Sequence, residues 1–141
     1  MTLSAAEIEI GTRLPDLEVG EITRTTLALF AGASGDHNPI HIDSDVAASA
    51  GVGDVFAHGM LSMAYLGRVL TDWCAPESIR SYGVRFGAIT PVHARPTASA
   101  TVTAVDDVDG ERRATLDLQV ALPDGTVTLT GTATVALSKG S

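Results

Sequence analysis

The side chains best suited to proton transfer lie together in one short segment of the sequence. Asp36, His37, Asn38 and His41 fall between positions 36 and 41, with Pro39 among them. A carboxylate and an imidazole held on one rigid turn are the minimum needed for paired acid–base chemistry. Histidine changes charge near neutral pH, so its ring can both accept and donate a proton. This segment therefore predicts acid–base chemistry centred on Asp36 and His41.

The same residue types also have structural interpretations, which the residues alone leave open. Asp36 can simply close an Asx turn ahead of Asn38 and Pro39. A lone histidine such as His41 is often a half-buried residue whose hydrogen bonds are satisfied. We expect Asn38 to shape the turn and His37 to carry a solvent-exposed side chain.

Metal and nucleophile chemistry fit the pattern poorly. His37 and His41 are four positions apart, a spacing that converges on a metal only along a helix, and Pro39 prevents a continuous helix there. Ser34 lacks the Gly-x-Ser-x-Gly spacing and follows a predicted helix rather than a strand. Cys74, the sole cysteine, has no histidine close in sequence, which favours a buried, inert thiol. We predict no metal site and no nucleophilic site.

Helices are predicted on both sides of this loop, from helical spacing of apolar residues and from capping residues. They cover residues 24–33 after a Thr23 cap, a short stretch from Asp43 or Ser44 to Gly51, and residues 58–73. The last helix has a wide apolar stripe that includes Met60 and Met63, so it should be largely buried. The sequence therefore predicts one long central helix directly downstream of the reactive loop.

Strands dominate the second half, where the apolar pattern changes from helical spacing to alternation. The predicted strands cover residues 14–22, 82–86, 98–106, 113–122 and 126–137. Asp109-Gly110 and Asp124-Gly125 predict tight turns between the last three strands. An antiparallel sheet packed on one long helix is an α+β architecture.

Two separate motifs, one in the reactive loop and one at the start of the long helix, resemble the signature of the MaoC-like (R)-specific enoyl thioester hydratase/dehydratase family. The first is Phe30 followed by Ser34-Gly35-Asp36-His37-Asn38-Pro39-Ile40-His41 and then Ala47, and the second is Ala57-His58-Gly59-Met60-Leu61. The segment Tyr82-Gly83-Val84-Arg85-Phe86, with Pro91 and Val92, is also similar to the family's downstream strand. The resemblance covers most of the chain.

The resemblance implies a hot-dog fold, in which an antiparallel sheet wraps a long central helix. It implies reversible syn addition of water to a trans-2-enoyl thioester, which gives a (3R)-3-hydroxyacyl thioester without a cofactor. Asp36 and His41 match the catalytic carboxylate and imidazole. Gly59 matches the residue whose N–H receives the thioester carbonyl, and free N–H groups at a helix N-terminus suit that role. Asn38 and His58 are expected to support the site.

Composition narrows the class of protein. Nine basic and seventeen acidic residues give a net charge of −8, which disfavours direct binding to nucleic acid. A single cysteine cannot form an intramolecular disulfide and suits a reducing cytoplasm. We expect no signal peptide, and residues 57–70 are too short and too mixed to span a membrane. The length of 141 residues predicts one domain over residues 1–141.

Two other functions remain open from the sequence: a hot-dog acyl thioesterase, and a non-catalytic acyl-binding subunit of a heteromer. Within the family, the short chain is most similar to catalytic subunits of actinobacterial fatty-acid-synthase-II (3R)-hydroxyacyl dehydratases, although hydratases of polyhydroxyalkanoate synthesis or β-oxidation fit equally. Substrates carried on coenzyme A or on acyl carrier protein are both compatible. We expect a homodimer, or a heterodimer with another hot-dog subunit, because the sheet leaves edges unpaired.

Overall fold

The computed structural model describes residues 5–137. The helices are α1 (Arg24–Ser34), α2 (Ser44–Ser49) and α3 (Gly59–Thr71), and the strands are β1 (Leu17–Glu18), β2 (Ile79–Phe86), β3 (Thr97–Val108), β4 (Glu111–Ala121) and β5 (Val127–Ala136). Short 3₁₀ turns cover Ala5–Glu7, Pro39–His41 and Pro76–Ser78. The ends of the predicted single domain, residues 1–4 and 138–141, lie outside the described residues, so its boundaries stay a prediction.

The five strands form one antiparallel sheet in the order β1-β3-β4-β5-β2. Side chains alternate between the two faces of β3 and β4, and one face of each strand is buried. Leu66, Val69 and Leu70 of α3 pack into the same apolar core as that face. The sheet therefore packs around one central helix, which is the predicted α+β arrangement. Within residues 5–137, no helix has the length and apolar content needed to cross a membrane.

Both predicted Asp-Gly turns are present, with different geometries. Asp109 (φ 53°) and Gly110 (φ 78°) both have positive φ, which makes a two-residue type I′ turn between β3 and β4. The β4–β5 connection is longer, because the N–H of Leu122 donates to the carbonyl of Thr126 and only Gly125 has positive φ. These turns fix the register of the three strands that form the centre of the sheet.

The predicted apolar stripe of α3, which also includes Ala64, is wrong at Met60 and at Ala64, since both residues are exposed. Met60 is 57% exposed, and Met63 is only partly buried. The buried positions are instead Leu61, Ser62, Leu66, Val69 and Leu70. Apolar residues on several sides of the helix made the face ambiguous in the sequence. The structure leaves Met60 at the surface, next to Gly59.

The N-terminal strand is much shorter than the predicted 14–22. Only Leu17 and Glu18 pair with β3, and a single bridge joins Arg13 to Thr101. Pro15 lacks a backbone N–H, and Gly20 has a positive φ of 81° that breaks the extended backbone. The segment still packs on the core through Leu14, which is 1% exposed.

A second, smaller apolar cluster supports the reactive loop. Its buried members are Ile22, Leu27, Ala47, Val55, Ala57 and Leu61. Ile22 precedes α1, and the others come from α1, α2, the segment before α3 and α3 itself. On the surface, Arg24 makes a bidentate ion pair with Asp54, at 2.7 and 2.6 Å, and also donates to Ser44. Together these contacts hold α1, α2 and the start of α3 in a fixed arrangement around residues 35–41.

Candidate active site

The reactive loop is built from consecutive local turns. Gly35 caps the C-terminus of helix α1. It has φ 78° and donates its N–H to the carbonyl of Ala31. Asp36 Oδ1 then accepts from the N–H of Asn38 at 3.2 Å, and Asn38 Oδ1 accepts from the N–H of Ile40 at 3.1 Å. Asn38 thereby caps the 3₁₀ turn Pro39–His41. These turns fold the chain back on itself between Asp36 and His41.

His41 is fixed by the segment that precedes α3. Its ring is 9% exposed, and its Nδ1 lies 2.8 Å from the main-chain carbonyl oxygen of Phe56. The Phe56 ring also contacts the imidazole edge-on, with ring centroids 4.8 Å apart. A carbonyl oxygen can only accept, so Nδ1 carries the hydrogen and Nε2 of the neutral ring carries a lone pair. The structure therefore presents His41 Nε2 as a base.

His58 lies directly behind His41. The two imidazoles stack with centroids 4.0 Å apart and planes 27° from parallel, and Phe30 packs edge-on against His58 at 4.9 Å. His58 is 1% exposed, and its Nε2 lies 3.2 Å from the main-chain oxygen of Asp36. Burial lowers the pKa of His58, and the neighbouring His41 lowers it further, against the raising effect of Asp36. His58 is therefore held as a neutral ring.

Asp36, His41 and His58 come together, although His58 is far from the other two in sequence. Each offers one carboxylate oxygen or ring nitrogen, and these atoms lie within 4.8 Å of one another. The Asp36 side chain is exposed. A water molecule that donates two hydrogen bonds of about 2.8 Å, at roughly 105° to each other, joins acceptors about 4.5 Å apart. The spacing therefore allows one water to be held between the Asp36 carboxylate and the His41 ring.

The side chains of Asp36, His41 and His58 are poorly arranged to bind a metal ion together. A ring nitrogen binds a metal through a lone pair in the plane of the ring, so an ion bound by both histidines must lie in both planes. The stacked rings of His41 and His58 have nearly parallel planes that do not meet close to the rings. One nitrogen of each ring also contacts a main-chain carbonyl. The geometry fits paired proton transfer better than metal binding.

Gly59 is the first residue of α3 and lies between the histidines and an apolar cavity. Its N–H is in the first turn, where no carbonyl of the same helix can accept it. The cavity has a volume of about 260 Å³, and Phe56, Ser62, Phe86 and Ile89 are among its lining residues. A Cβ at position 59 would lie 2.8 Å from Cε1 of Phe86, so only glycine fits beneath that ring without displacing it. Gly59 is itself one of the residues that line this cavity.

Two contributors to this site, Phe56 and Phe86, could not be identified from the sequence. Phe56 holds His41 through its main-chain oxygen. Every residue type has such an oxygen, so the identity of residue 56 does not indicate this contact. Phe86 was recognised only as part of a strand motif, and its contact with Gly59 depends on how β2 meets α3. His37, by contrast, is exposed, as expected.

Comparison with known proteins places this chain in a family. The model of the MaoC-like domain matches residues 9–122, which include the reactive loop, α3 and most of the sheet. The chain is also 35% identical over 106 residues to the 3-hydroxyacyl-thioester dehydratase Z of Mycobacterium tuberculosis strain H37Rv, and the match covers 70% of each chain. The chain belongs to the MaoC-like domain family.

Two solved structures show the same fold. An (R)-hydratase from A. caviae involved in PHA biosynthesis has a TM-score of 0.82 at 26% identity, over 93% of this chain and 98% of that one. The ChsH1–ChsH2 complex from Mycobacterium tuberculosis has a TM-score of 0.80 at 27% identity, over 92% of this chain and 98% of the matched chain. The predicted hot-dog fold and the predicted family are confirmed.

Proposed function

We propose that this chain is a hydro-lyase that interconverts trans-2-enoyl thioesters and (3R)-3-hydroxyacyl thioesters. Its relatives carry the names of dehydratases and (R)-hydratases of this class. The observation that carries the proposal is the pairing of His41 Nδ1 with the Phe56 carbonyl, which leaves Nε2 free as a base on a ring that has a nitrogen within 4.8 Å of a carboxylate oxygen of Asp36. We assign Asp36 and His41 as the catalytic pair.

In the hydration direction, Asp36 and His41 Nε2 hold one water over C3 of the enoyl group. His41 Nε2 takes a proton from this water as its oxygen bonds to C3. The C2=C3 electron pair moves toward the thioester carbonyl, whose oxygen gains negative charge and is stabilised by the Gly59 N–H. The proton on His41 Nε2 then passes to C2 on the same face. Dehydration is the reverse, and the reaction balances with water alone.

The carbonyl site is suited to charge that develops during the reaction. Gly59 N–H lies at the positive end of α3, and the helix dipole favours negative charge there. The cavity beside it is largely apolar and can hold part of an acyl thioester carried by coenzyme A or acyl carrier protein. We place the enzyme in the cytoplasm, where its lone cysteine stays reduced.

The site also faces a surface that a second subunit can cover. Phe86 and Ile89, which line the cavity, are 54% and 51% exposed, and Met60, next to Gly59 in the chain, is 57% exposed. Strand β2 is at the end of the sheet order, so among residues 5–137 no strand pairs with its outer edge. We propose that a second hot-dog subunit, identical or different, covers this region. One similar chain was solved in a complex of two different proteins, ChsH1 and ChsH2.

Substitution of the catalytic pair tests this assignment. Asp36→Asn keeps an oxygen that can accept from Asn38 and so should preserve the turn, whereas His41→Ala removes the base. Each variant should lower the hydration rate by about 10²–10⁴-fold with little loss of fold. The double variant should be little slower than either single one, because the residues act together. His37→Ala, in the same loop but exposed, should keep wild-type activity.

The assay uses trans-2-enoyl-CoA of graded chain length and follows the loss of enoyl absorbance, with circular dichroism as the check on folding. Folded Asp36→Asn or His41→Ala protein with near wild-type turnover would show that the catalytic assignment is wrong. Release of free thiol in place of hydration would favour a thioesterase. A wild-type chain that is inactive alone and contributes no catalysis to a heteromer would favour an acyl-binding subunit.

A further inference from the structure

His58 has contacts that a role in starting α3 does not explain. It occupies the N-cap position, yet its side chain makes no capping hydrogen bond to the helix. Nδ1 is buried and has no hydrogen-bond partner within residues 5–137. Burial of an unsatisfied polar atom opposes folding, and an apolar side chain would avoid that penalty. Besides the edge-on contact with Phe30, the ring contacts Asp36 and His41, the two residues proposed as the catalytic pair.

The hydrogen-bonding pattern defines the protonation of this ring. Nε2 contacts the main-chain oxygen of Asp36, which can only accept, so Nε2 carries the hydrogen. A hydrogen on the buried Nδ1 as well would create an unsatisfied donor and an enclosed positive charge. The titratable groups facing the ring are Asp36 and His41, while α1 contributes the uncharged ring of Phe30. His58 is therefore the neutral Nε2–H form.

The geometry points to His58 as a positioning residue for the proposed hydration reaction: its Nε2–H holds the main chain of Asp36 while its ring face supports the His41 imidazole. One side chain thereby sets the separation of the carboxylate from Nε2 of His41. This inference rests on the proposed function of Asp36 and His41. It extends that proposal, because it makes the relative placement of the pair depend on a third residue that does not touch the reacting atoms.

Two properties of His58 can be removed separately. His58→Phe keeps a flat ring against His41 but has no donor for the Asp36 carbonyl. His58→Gln loses the ring but places an amide N–H near the former position of Nε2. If the hydrogen bond positions Asp36, the phenylalanine variant should lose about 10²-fold in kcat, since misplacement by 1 Å can cost that much. Its KM should change little, because neither Gly59 nor the cavity is altered.

The experiment measures kcat, KM and thermal stability of the wild type and both variants. We expect His58→Gln to recover most of the kcat lost in His58→Phe, irrespective of which variant is more stable. A role in packing alone predicts the opposite order, with the flat ring of phenylalanine as the better replacement. Wild-type kcat in His58→Phe, or equally slow turnover in both variants, would overturn the proposal.

A second measurement does not depend on activity or on the folding of a variant. Long-range ¹H–¹⁵N spectra of the wild-type protein report which nitrogen of each of its four histidines carries hydrogen. We expect His58 as the neutral Nε2–H form near neutral pH. A neutral ring with its hydrogen on Nδ1, which leaves Nε2 no hydrogen to donate to Asp36, would overturn the proposal. A wild-type protein that shows this tautomer but hydrates no enoyl thioester would instead refute the proposed function.

Discussion

At the level of single residues, Gly59 combines the lack of a side chain with a backbone N–H at the start of α3. It leaves room for the Phe86 ring, whose Cε1 would be 2.8 Å from a Cβ at this position. It also contributes the N–H that we assign to the thioester carbonyl. The first property is steric and the second is a hydrogen bond, so they can be separated by substitution.

Gly59→Ala and Gly59→Pro form a matched pair for this separation. Both add a Cβ beneath Phe86, but only proline removes the N–H. Proline is favoured at the first position of a helix, and His58 already has the extended backbone (φ −57°, ψ 135°) required before proline. We expect Gly59→Pro to be about 10²–10³-fold slower in kcat than Gly59→Ala, as measured by steady-state hydration kinetics.

The alanine variant controls for displacement of the Phe86 ring, and circular dichroism controls for helix formation. Equal kcat values for the two folded variants would show that the N–H of Gly59 does not stabilise the reacting carbonyl. Any decrease in kcat that both variants share would then be due only to the steric conflict with Phe86.

The sequence predicted the residues of the site that act through side-chain chemistry and local motifs. Asp36 and His41 could be chosen because they lie on one loop, and Gly59 because it begins a predicted helix in a family motif. The stack of His58 on His41 could not be predicted, because it depends on how α3 meets that loop. The contact of Phe56 with His41 could not be predicted either, since every residue type has a main-chain oxygen.

At the level of elements, ion pairs at the start of β4 make stability depend on pH. Glu111 accepts hydrogen bonds from Arg80 of β2 and from Arg113 of its own strand, at 2.7–2.9 Å. These guanidinium groups lower the pKa of Glu111 from its ordinary 4.5 to about 2. A lowered pKa in the folded state stabilises the fold above the unfolded pKa, and this contribution is lost as pH falls through the folded value.

Glu111→Gln should therefore lower Tm at pH 6, and the difference from wild type should shrink as pH falls from about 4.5 toward 2. Thermal unfolding of both proteins across this pH range measures the effect. Glu18→Gln, at an exposed position of β1, controls for the general loss of one negative charge. A Tm difference that stays constant from pH 6 to pH 2 would contradict the role of these ion pairs.

The elements that could be predicted are those with a strong local signal. Alternating apolar residues and the Asp-Gly turns located β3, β4 and β5, and helical spacing located α1 and α3. The N-terminal strand was overestimated, because pairing with β3 ends where Pro15 and Gly20 interrupt it. The exposure of Met60 could not be deduced, since it depends on which side of α3 the sheet covers.

At the level of the whole molecule, the apolar surface around the cavity predicts that activity depends on association. Dilution should lower both the mass of the particle and its activity per chain, because a dimer dissociates by mass action. Sedimentation across a concentration series, with hydration assayed in parallel, measures both quantities. A fully active monomer would contradict this expectation, whereas activity restored by a different hot-dog subunit would favour a heterodimer.

A pair of surface variants locates the interface. Ile89→Asp places a charge beside the cavity, where Ile89 is 51% exposed, and it should weaken association. Ile10→Asp makes the same change at a residue that is 69% exposed on the N-terminal segment and does not line the cavity. Association lost in Ile10→Asp but kept in Ile89→Asp would place the interface elsewhere.

The central claim is that one loop delivers both the hydroxyl group and the proton to the same face of the substrate. The most direct test is to hydrate a trans-2-enoyl-CoA in D₂O and to determine the configuration of the product at C2 and C3 by NMR and chiral analysis. We predict a single (3R)-3-hydroxyacyl thioester with deuterium added syn at C2. A racemic or (3S) product, or anti addition of deuterium, would contradict the assignment of Asp36 and His41 as one catalytic pair.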